Sequence, residues 1–144
     1  YFVATVTETI TQLVAYTTSV AGAGLTLVRL GVFAAAANGD LTLVASTVND
    51  TALFAATFTR YPKVLQASWA KVAGQRYAIG ELCVGTTRPS LLNVGNPSLA
   101  IQDTIFAQGP RVTGIVTGQT DLAGLYTSGQ VQVTRVCPYI EMLR

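Results

Sequence analysis

The sequence predicts an all-β protein, an antiparallel β-sandwich of the jelly-roll kind with about eight strands and little helix. The chain has 144 residues, which suits one domain over 1–144. Short runs rich in Val, Thr, Ala and Leu recur along it, and Gly, Pro, Asn and Asp separate them. One Asn-Gly pair joins two such runs, and this is the strongest short-range signal of a β-hairpin.

The hairpin lies within 25–54 and turns at Asn38-Gly39. A type I′ turn there places Val32 opposite Ala45, whereas a bulge near the turn would shift this register. One face of the hairpin is apolar and is the predicted core: Leu30, Val32 and Ala34 against Leu41, Leu43 and Ala45. The other face is the predicted contact with a partner sheet or protomer, and its candidate interface residues are Arg29, Phe33 and Val44.

The segments around the hairpin are shorter. Residues 1–18 predict one or two strands, and the VAGAG segment that follows predicts a flexible connection. After a turn at Asn49 and Asp50, TALFAATF predicts either a single helical turn or an irregular crossing between sheets. Pro62 restricts the next strand to a sheet edge or to a start after the proline, and ASWAKV predicts a further short strand.

The second half of the chain begins with RYAIGELCV, a strand with a small apolar face that predicts a core contact. Residues 85–97 form the longest predicted loop, and 98–105 predict either short helix or irregular structure. RVTGIVTG predicts a strand, QTDLAGLYTSG a loop, and the closing strand is interrupted at Pro138. The predicted central strands are the hairpin, RYAIGELCV and the closing strand. The predicted core face of RYAIGELCV is Ala78, Gly80, Leu82 and Val84.

Several kinds of chemistry lack their residues. The chain has no His, so Ser-His and Cys-His nucleophile pairs are excluded, and the commonest metal ligand is missing. Its nine basic residues are scattered, which predicts no nucleic-acid contact, and no apolar run has the length of a membrane helix. A pair of convergent carboxylates, involving Asp103 or Glu141, is a weak alternative. We therefore predict a protein that is not an enzyme and uses no cofactor or metal.

Two cysteines, Cys83 and Cys137, lie far apart in strand-like runs. Two thiols without His cannot complete a structural zinc site. Small buried apolar residues are therefore the favoured interpretation of both cysteines. A disulfide between two strands stays open, because the geometry of a bridge cannot be obtained from sequence.

The predicted ligand-binding residues are Arg60, Tyr61 and Trp69. A sugar has apolar ring faces and polar edges, and flat aromatic rings beside hydrogen-bonding groups match both. The alternative for Trp69, a core or interface aromatic, is the favoured one. The loops at 88–96 and 119–126 are further candidate surfaces, because recognition residues concentrate on loops over a rigid scaffold.

Charged residues make up only 11% of the chain, well below the roughly 25% of an average soluble domain. Such a chain must cover weakly polar surface. A well-buried sandwich is one explanation, and an obligate oligomer in which protomers cover one another is the other. We favour the oligomer.

Three phrases carry a family resemblance: GDLTLVAST followed by ND and LF, AGQRYA, and VTGQTDL. From about Leu13 to its end, the chain resembles the C-terminal head domains of tail-fibre or minor tail proteins of bacteriophages that infect actinobacteria. The first residue is Tyr1, which suits a head domain at the C-terminal part of a longer fibre chain. The phrases contain no catalytic signature, so they indicate a fold family and not a reaction.

The resemblance implies a structural protein of the virion, trimeric about a fibre axis, whose sandwich head contacts the host surface. Its implied partners are further copies of itself, other tail proteins of the virion and a glycan of the host envelope. A capsid-decoration or other assembly protein without receptor binding is the first alternative. A polysaccharide-degrading enzyme is the second, and the missing His argues against it.

Overall fold

The computed structural model describes residues 1–93, 114–133 and 138–144. Apart from a 3₁₀ turn at Ser128–Gln130, the regular elements of this part are strands. The possible helix at 98–105, Asp103 and Cys137 lie outside the described residues. The strands in chain order are β1 (Phe2–Val3), β2 (Glu8–Tyr16), β3 (Ala23–Ala35), β4 (Leu41–Ser46), β5 (Arg60–Lys71), β6 (Arg76–Thr87), β7 (Gly114–Ile115), β8 (Leu125–Tyr126), β9 (Gln132–Val133) and β10 (Ile140–Leu143).

Two antiparallel sheets form the body of the molecule. One has five strands in the order β1-β6-β3-β4-β8, and the other has three in the order β10-β2-β5. These eight strands confirm the predicted all-β sandwich. The predicted central position of the closing strand is wrong for the described residues. After the break at Pro138 only the short β10 continues, and it pairs with β2 at the edge of its sheet.

The main core lies between the two sheets. Val28, Leu30 and Val32 of β3 face Ile10 and Leu13 of β2, and none of these side chains is more than 1% exposed. Alternate residues of a strand point to the same side, so the apolar residues of each strand collect on its inner face. The predicted core role of Leu30 and Val32 is confirmed.

The hairpin joins β3 and β4, but the predicted type I′ turn is wrong. Of the Asn-Gly pair only Gly39 has a positive φ, 89°. The Gly39 N–H donates to Ala36 O at 3.0 Å, and the Ala36 N–H donates to Asp40 O at 2.9 Å. This is the pattern of a three-residue loop, a type I turn closed by a glycine bulge, in which only the glycine needs the left-handed conformation.

A second irregularity, a bulge at Val44, restores the predicted register farther from the turn. Val32 pairs with Ala45 as predicted, whereas Phe33 pairs with Leu43. The shift by one residue reverses the side of the sheet to which the β4 side chains point. Two residues predicted for the main core therefore lie on the opposite face: Leu41 and Leu43.

That opposite face carries a second, smaller cluster. Phe33 packs there with Leu41, Ala78 and Tyr126, and the ring centroids of Phe33 and Tyr126 are 5.6 Å apart. Residues between 116 and 131 of the same chain cover this cluster. The sequence predicts that this face contacts a partner sheet or protomer. At Phe33 it is instead covered by residues of the same chain.

The faces of β6 are the reverse of the prediction. Tyr77, Ile79 and Cys83 contact the main core, and the small-residue face with Ala78 packs on the second cluster. The small residues leave room for the Phe33 ring, since a Cβ added at Gly80 would lie 3.6 Å from it. A sheet covered on both sides gives no alternation of polar and apolar residues, so this assignment could not be made from periodicity.

The RYPKVLQ and ASWAKV runs form one strand, β5, and not two. Pro62 lies inside this strand, and β5 is an edge strand as predicted. In the described part of the chain it pairs with β2 along its length, and Leu65 adds a single bridge to Thr47.

The connection over 51–59 is an irregular crossing between the sheets. The other possibility from the sequence, a single helical turn, is not what this segment forms. Phe54 and Phe58 have φ values of 72° and 49°, and they are the non-glycine residues with positive φ among those described. A non-glycine residue in this region of φ costs about 1–3 kcal/mol, so the conformation persists only where the surrounding structure holds it.

Candidate functional site: a tyrosine platform on the three-stranded sheet

The structure separates the three predicted ligand-binding residues. Trp69 is 7% exposed and packs edge-on against Tyr77 in the main core, with ring centroids 4.6 Å apart. Tyr61 packs on Phe54, and its hydroxyl accepts a hydrogen bond from the Ala56 N–H at 2.7 Å. The core interpretation of Trp69 is therefore the one that the structure supports, and Tyr61 is half-buried with its ring against Phe54. Arg60 alone lies on the outer face of the sheet.

Around Arg60 the outer face of the three-stranded sheet gathers a cluster that we call the tyrosine platform: Tyr16, Arg60, Tyr139 and Glu141. The rings of Tyr16 and Tyr139 contact each other, with centroids 5.7 Å apart and planes inclined by 41°. Arg60 Nε donates to the Tyr16 hydroxyl at 3.1 Å. The Tyr139 hydroxyl donates to Glu141 Oε1 at 3.0 Å, and Arg60 Nη2 lies 3.8 Å from Glu141 Oε2.

Strand alternation places these side chains together. Tyr16 pairs with Arg60 across the β2–β5 ladder, while the preceding Ala15 points into the core. On the other side of β2, Ile140 points into the core and its two neighbours, Tyr139 and Glu141, point outward. The platform thus combines residues from distant parts of the chain through two ladders that share β2.

The charges on the platform are nearly balanced and remain accessible. Arg60 keeps 47% of its side chain exposed, and its contact with Glu141 is long for an ion pair. The hydrogen bond to Glu141, with a further contribution from burial, raises the pKa of Tyr139 above its ordinary value of 10.0. The Tyr139 hydroxyl therefore stays protonated near neutral pH and remains a donor.

This arrangement suits a polyhydroxylated ligand better than a reaction. Two tyrosine rings supply apolar area with hydroxyl edges, and the guanidinium and carboxylate beside them donate and accept hydrogen bonds. Glu141 is one carboxylate, whereas glycoside hydrolysis needs two at a defined spacing. The platform offers aromatic rings and hydrogen-bonding groups, and its four residues include one carboxylate and no acid pair.

Sequence reasoning found Arg60 but missed Tyr16, Tyr139 and Glu141. No local motif joins these residues, because strand pairing and not sequence spacing brings them together. Tyr139 follows the proline that interrupts the closing strand, and only the strand order places it beside Tyr16. β2 gave no clear signal, because the fully buried Val14 lies between Gln12 and Tyr16 on the side away from Leu13.

The three predicted interface residues, Arg29, Phe33 and Val44, lie in different surroundings. Arg29 forms contacts within the chain: its Nη1 donates to both carboxylate oxygens of Asp121, at 2.9 and 3.1 Å, and its Nε donates to Thr47 O at 3.0 Å. This pairing lowers the pKa of Asp121. Phe33 lies in the second cluster, and Val44 at the bulge is exposed. Arg29 and Phe33 thus share the face of β3 that residues between 116 and 131 contact, whereas Val44 is apart from them and exposed.

A cavity of about 1030 Å³ borders β6 and reaches Arg88 and Tyr139. Glu81 is the one carboxylate among its described lining residues, and the Glu81 Oε2 atom is buried without a hydrogen-bond partner. Burial raises the pKa of Glu81 to about 7, and the charge of Arg88 partly opposes this. Cys83 on the same strand is a free thiol whose pKa burial raises to about 12, which keeps it unreactive.

Within residues 1–93, 114–133 and 138–144, no group of three or more His, Cys, Asp or Glu side chains could hold a metal ion. In the same residues, no helix has the length and apolar character needed to cross a membrane. Comparison with protein-family models, with curated proteins and with solved structures gives no match for this chain.

Proposed function

We propose that this chain is a non-enzymatic structural domain of a phage virion, the head of a tail fibre, which binds a glycan of the host envelope. The observation that carries the proposal is the tyrosine platform, in which two contacting aromatic rings lie beside a half-exposed arginine and a carboxylate. Sugar recognition uses this combination of apolar ring faces and hydrogen-bonding edges. The sandwich beneath it is a rigid support for such a surface.

The absence of His from the chain favours binding over catalysis. Glu81 and Glu141 do not form an acid pair: Glu81 lies on the inner side of β6, and Glu141 lies on the outer face of the other sheet. An enzyme built on either residue would need a partner group that neither site supplies among the described residues.

The proposed binding is tested on an array of defined saccharides, from single sugars to hexasaccharides. The wild-type chain is expected to bind at least one of them, and Arg60→Ala or Tyr139→Ala is expected to weaken that binding about tenfold or more. Arg144→Ala is the matched control, because Arg144 directly follows β10 but contacts Glu8 and not the platform. Unchanged binding in both platform variants would contradict the proposed site.

The proposed assembly is a homotrimer. Three exposed valines, Val3, Val6 and Val72, lie near one end of the sandwich, where β2 and β5 meet at Glu8 and Lys71. Exposed apolar residues that lie close together favour a protein contact. Light scattering is expected to give a trimer for the wild type and smaller species for Val6→Asp and Val72→Asp. A clean monomer of the wild type would rule out the trimer and leave the platform to be judged by its own test.

A further inference from the structure

Phe58 has two properties that oppose folding. Its side chain is 80% exposed, the largest exposure among the large apolar residues of the described chain. Its φ of 49° lies in the left-handed region, which bulky side chains rarely adopt. An exposed ring gains little from contacts with the described residues of the protomer.

The surrounding residues hold this conformation firmly. The Phe58 N–H donates to Thr18 O at 3.0 Å. The buried Thr17 hydroxyl donates to Ala56 O at 2.7 Å and accepts from the Thr59 N–H at 3.0 Å. The Tyr61 hydroxyl accepts from the Ala56 N–H on the other side. Backbone strain that is held from several sides indicates a site whose conformation serves a contact.

The position of Phe58 relates it to the tyrosine platform. It precedes Arg60 by two residues, and its backbone partner Thr18 follows Tyr16 by two residues. Two residues of chain span at most about 7 Å, so the Cα of Phe58 lies within about 7 Å of that of Arg60. Ser19 and Thr57 adjoin Thr18 and Phe58 in the sequence, and both carry hydroxyl groups and are exposed.

We infer that Phe58 forms a second contact for the glycan held by the platform, so that the ligand is an oligosaccharide and not a single sugar. This inference rests on the proposed glycan binding. The platform would hold one sugar residue through its tyrosines and Arg60. The next residues of the oligosaccharide would extend over Phe58, which supplies an aromatic face among neutral hydroxyl groups.

The test compares two variants on the same array of saccharides from one to six units. Phe58→Asn removes the ring and replaces it with a residue that tolerates a positive φ. It is expected to weaken oligosaccharide binding about tenfold, while leaving the binding of single sugars unchanged. Phe58→Tyr keeps the ring and is expected to retain the wild-type affinity. The unfolding temperature of Phe58→Asn is expected to equal or exceed that of the wild type.

Each other outcome overturns the inference in a distinguishable way. Full oligosaccharide affinity in Phe58→Asn, with loss in Arg60→Ala, would remove Phe58 from the site and leave the platform. A lower unfolding temperature in Phe58→Asn would mean that the ring serves folding. A change of oligomeric state would assign the ring to a contact between copies. Failure of the wild type to bind any saccharide would overturn the proposed glycan binding itself.

Discussion

Phe54 and Phe58 belong to the same crossing between the sheets and share the left-handed conformation, yet their surroundings differ completely. Phe54 is fully buried and meets Tyr61 edge-on, with ring centroids 5.5 Å apart. Phe58 is 80% exposed. At Phe54 the burial of the ring offsets the backbone strain, because a fully buried phenylalanine contributes about 1.5–3 kcal/mol. At Phe58 the ring is exposed, so its burial does not offset the strain; backbone hydrogen bonds such as that from the Phe58 N–H to Thr18 O hold the conformation, and the ring is available to a ligand.

The largest expected effect comes from removing the buried ring of the two, that of Phe54. Phe54→Ala removes a ring from the main core and should lower the free energy of unfolding by about 3–5 kcal/mol. Urea unfolding followed by the fluorescence of Trp69, the single tryptophan, measures this loss. Phe58→Ala is the matched variant and should lose less than about 1 kcal/mol. Equal losses in the two variants would contradict the contrast between them.

Glu81 extends the comparison to a half-buried carboxyl group, whose Oε2 atom is buried without a hydrogen-bond partner. Its pKa is raised to about 7 by burial, so the folded chain keeps a proton that the unfolded chain releases above about pH 4.5. The free energy of unfolding should therefore fall by about 3 kcal/mol as the pH rises from about 4.5 to about 7, and stay low above that. Glu81→Gln cannot ionise and should lack this decrease.

The control for Glu81 is a carboxylate with the opposite behaviour. Hydrogen bonds from Lys71 and Arg144 lower the pKa of Glu8, so the stability that it adds is lost as the pH falls through its folded pKa. The Glu8→Gln variant should therefore still show the decrease in the free energy of unfolding that Glu81 causes as the pH rises. A wild-type protein as stable at pH 8 as at pH 5 would contradict the assignment of Glu81 as a buried, unpartnered acid.

Thr17 connects the two phenylalanines, because its hydroxyl holds the backbone between them. Thr17→Val keeps the shape of the side chain but leaves the Ala56 carbonyl and the Thr59 N–H without this partner. The expected loss is about 2 kcal/mol, together with weaker oligosaccharide binding, since Phe58 is no longer held in place. Thr9→Val, at an exposed position of β2, should change stability by less than about 0.5 kcal/mol. An unchanged Thr17→Val protein would show that other contacts fix the crossing.

The sequence predicted the parts of the fold that depend on local alternation. Leu30 and Val32 lie in the core, Val32 pairs with Ala45, and Pro62 lies in an edge strand. It failed where one extra residue reverses a face, as at Val44, because a bulge has no composition that distinguishes it from regular strand. It also failed on β6, which is covered on both sides and therefore shows no alternation.

The candidate site was predicted only through Arg60. Closeness to Arg60 in the sequence favoured Tyr61 and Trp69, but both rings pack on the main core. Tyr61 directly follows Arg60, and successive residues of a strand point to opposite faces. Two other residues lie around Arg60: Tyr16, from the beginning of the chain, and Tyr139, from its end. Their meeting depends on the strand order, which no local pattern specifies. The conformation of Phe58 had no sequence signal, because glycine or asparagine is the expected residue at a positive φ.

The smallest expected effect sets the scale of the strain that Phe58 carries. Gly74 has a φ of 81° with nothing within 4 Å of an added Cβ, so Gly74→Ala isolates the backbone term, about 1–2 kcal/mol of lost stability. Gly39→Ala adds a close contact with Ser128 Cβ at 3.1 Å and should lose slightly more. If urea unfolding shows Gly74→Ala to be neutral, a side chain in this conformation costs little in this fold. The exposed Phe58 would then need no ligand to explain its conformation.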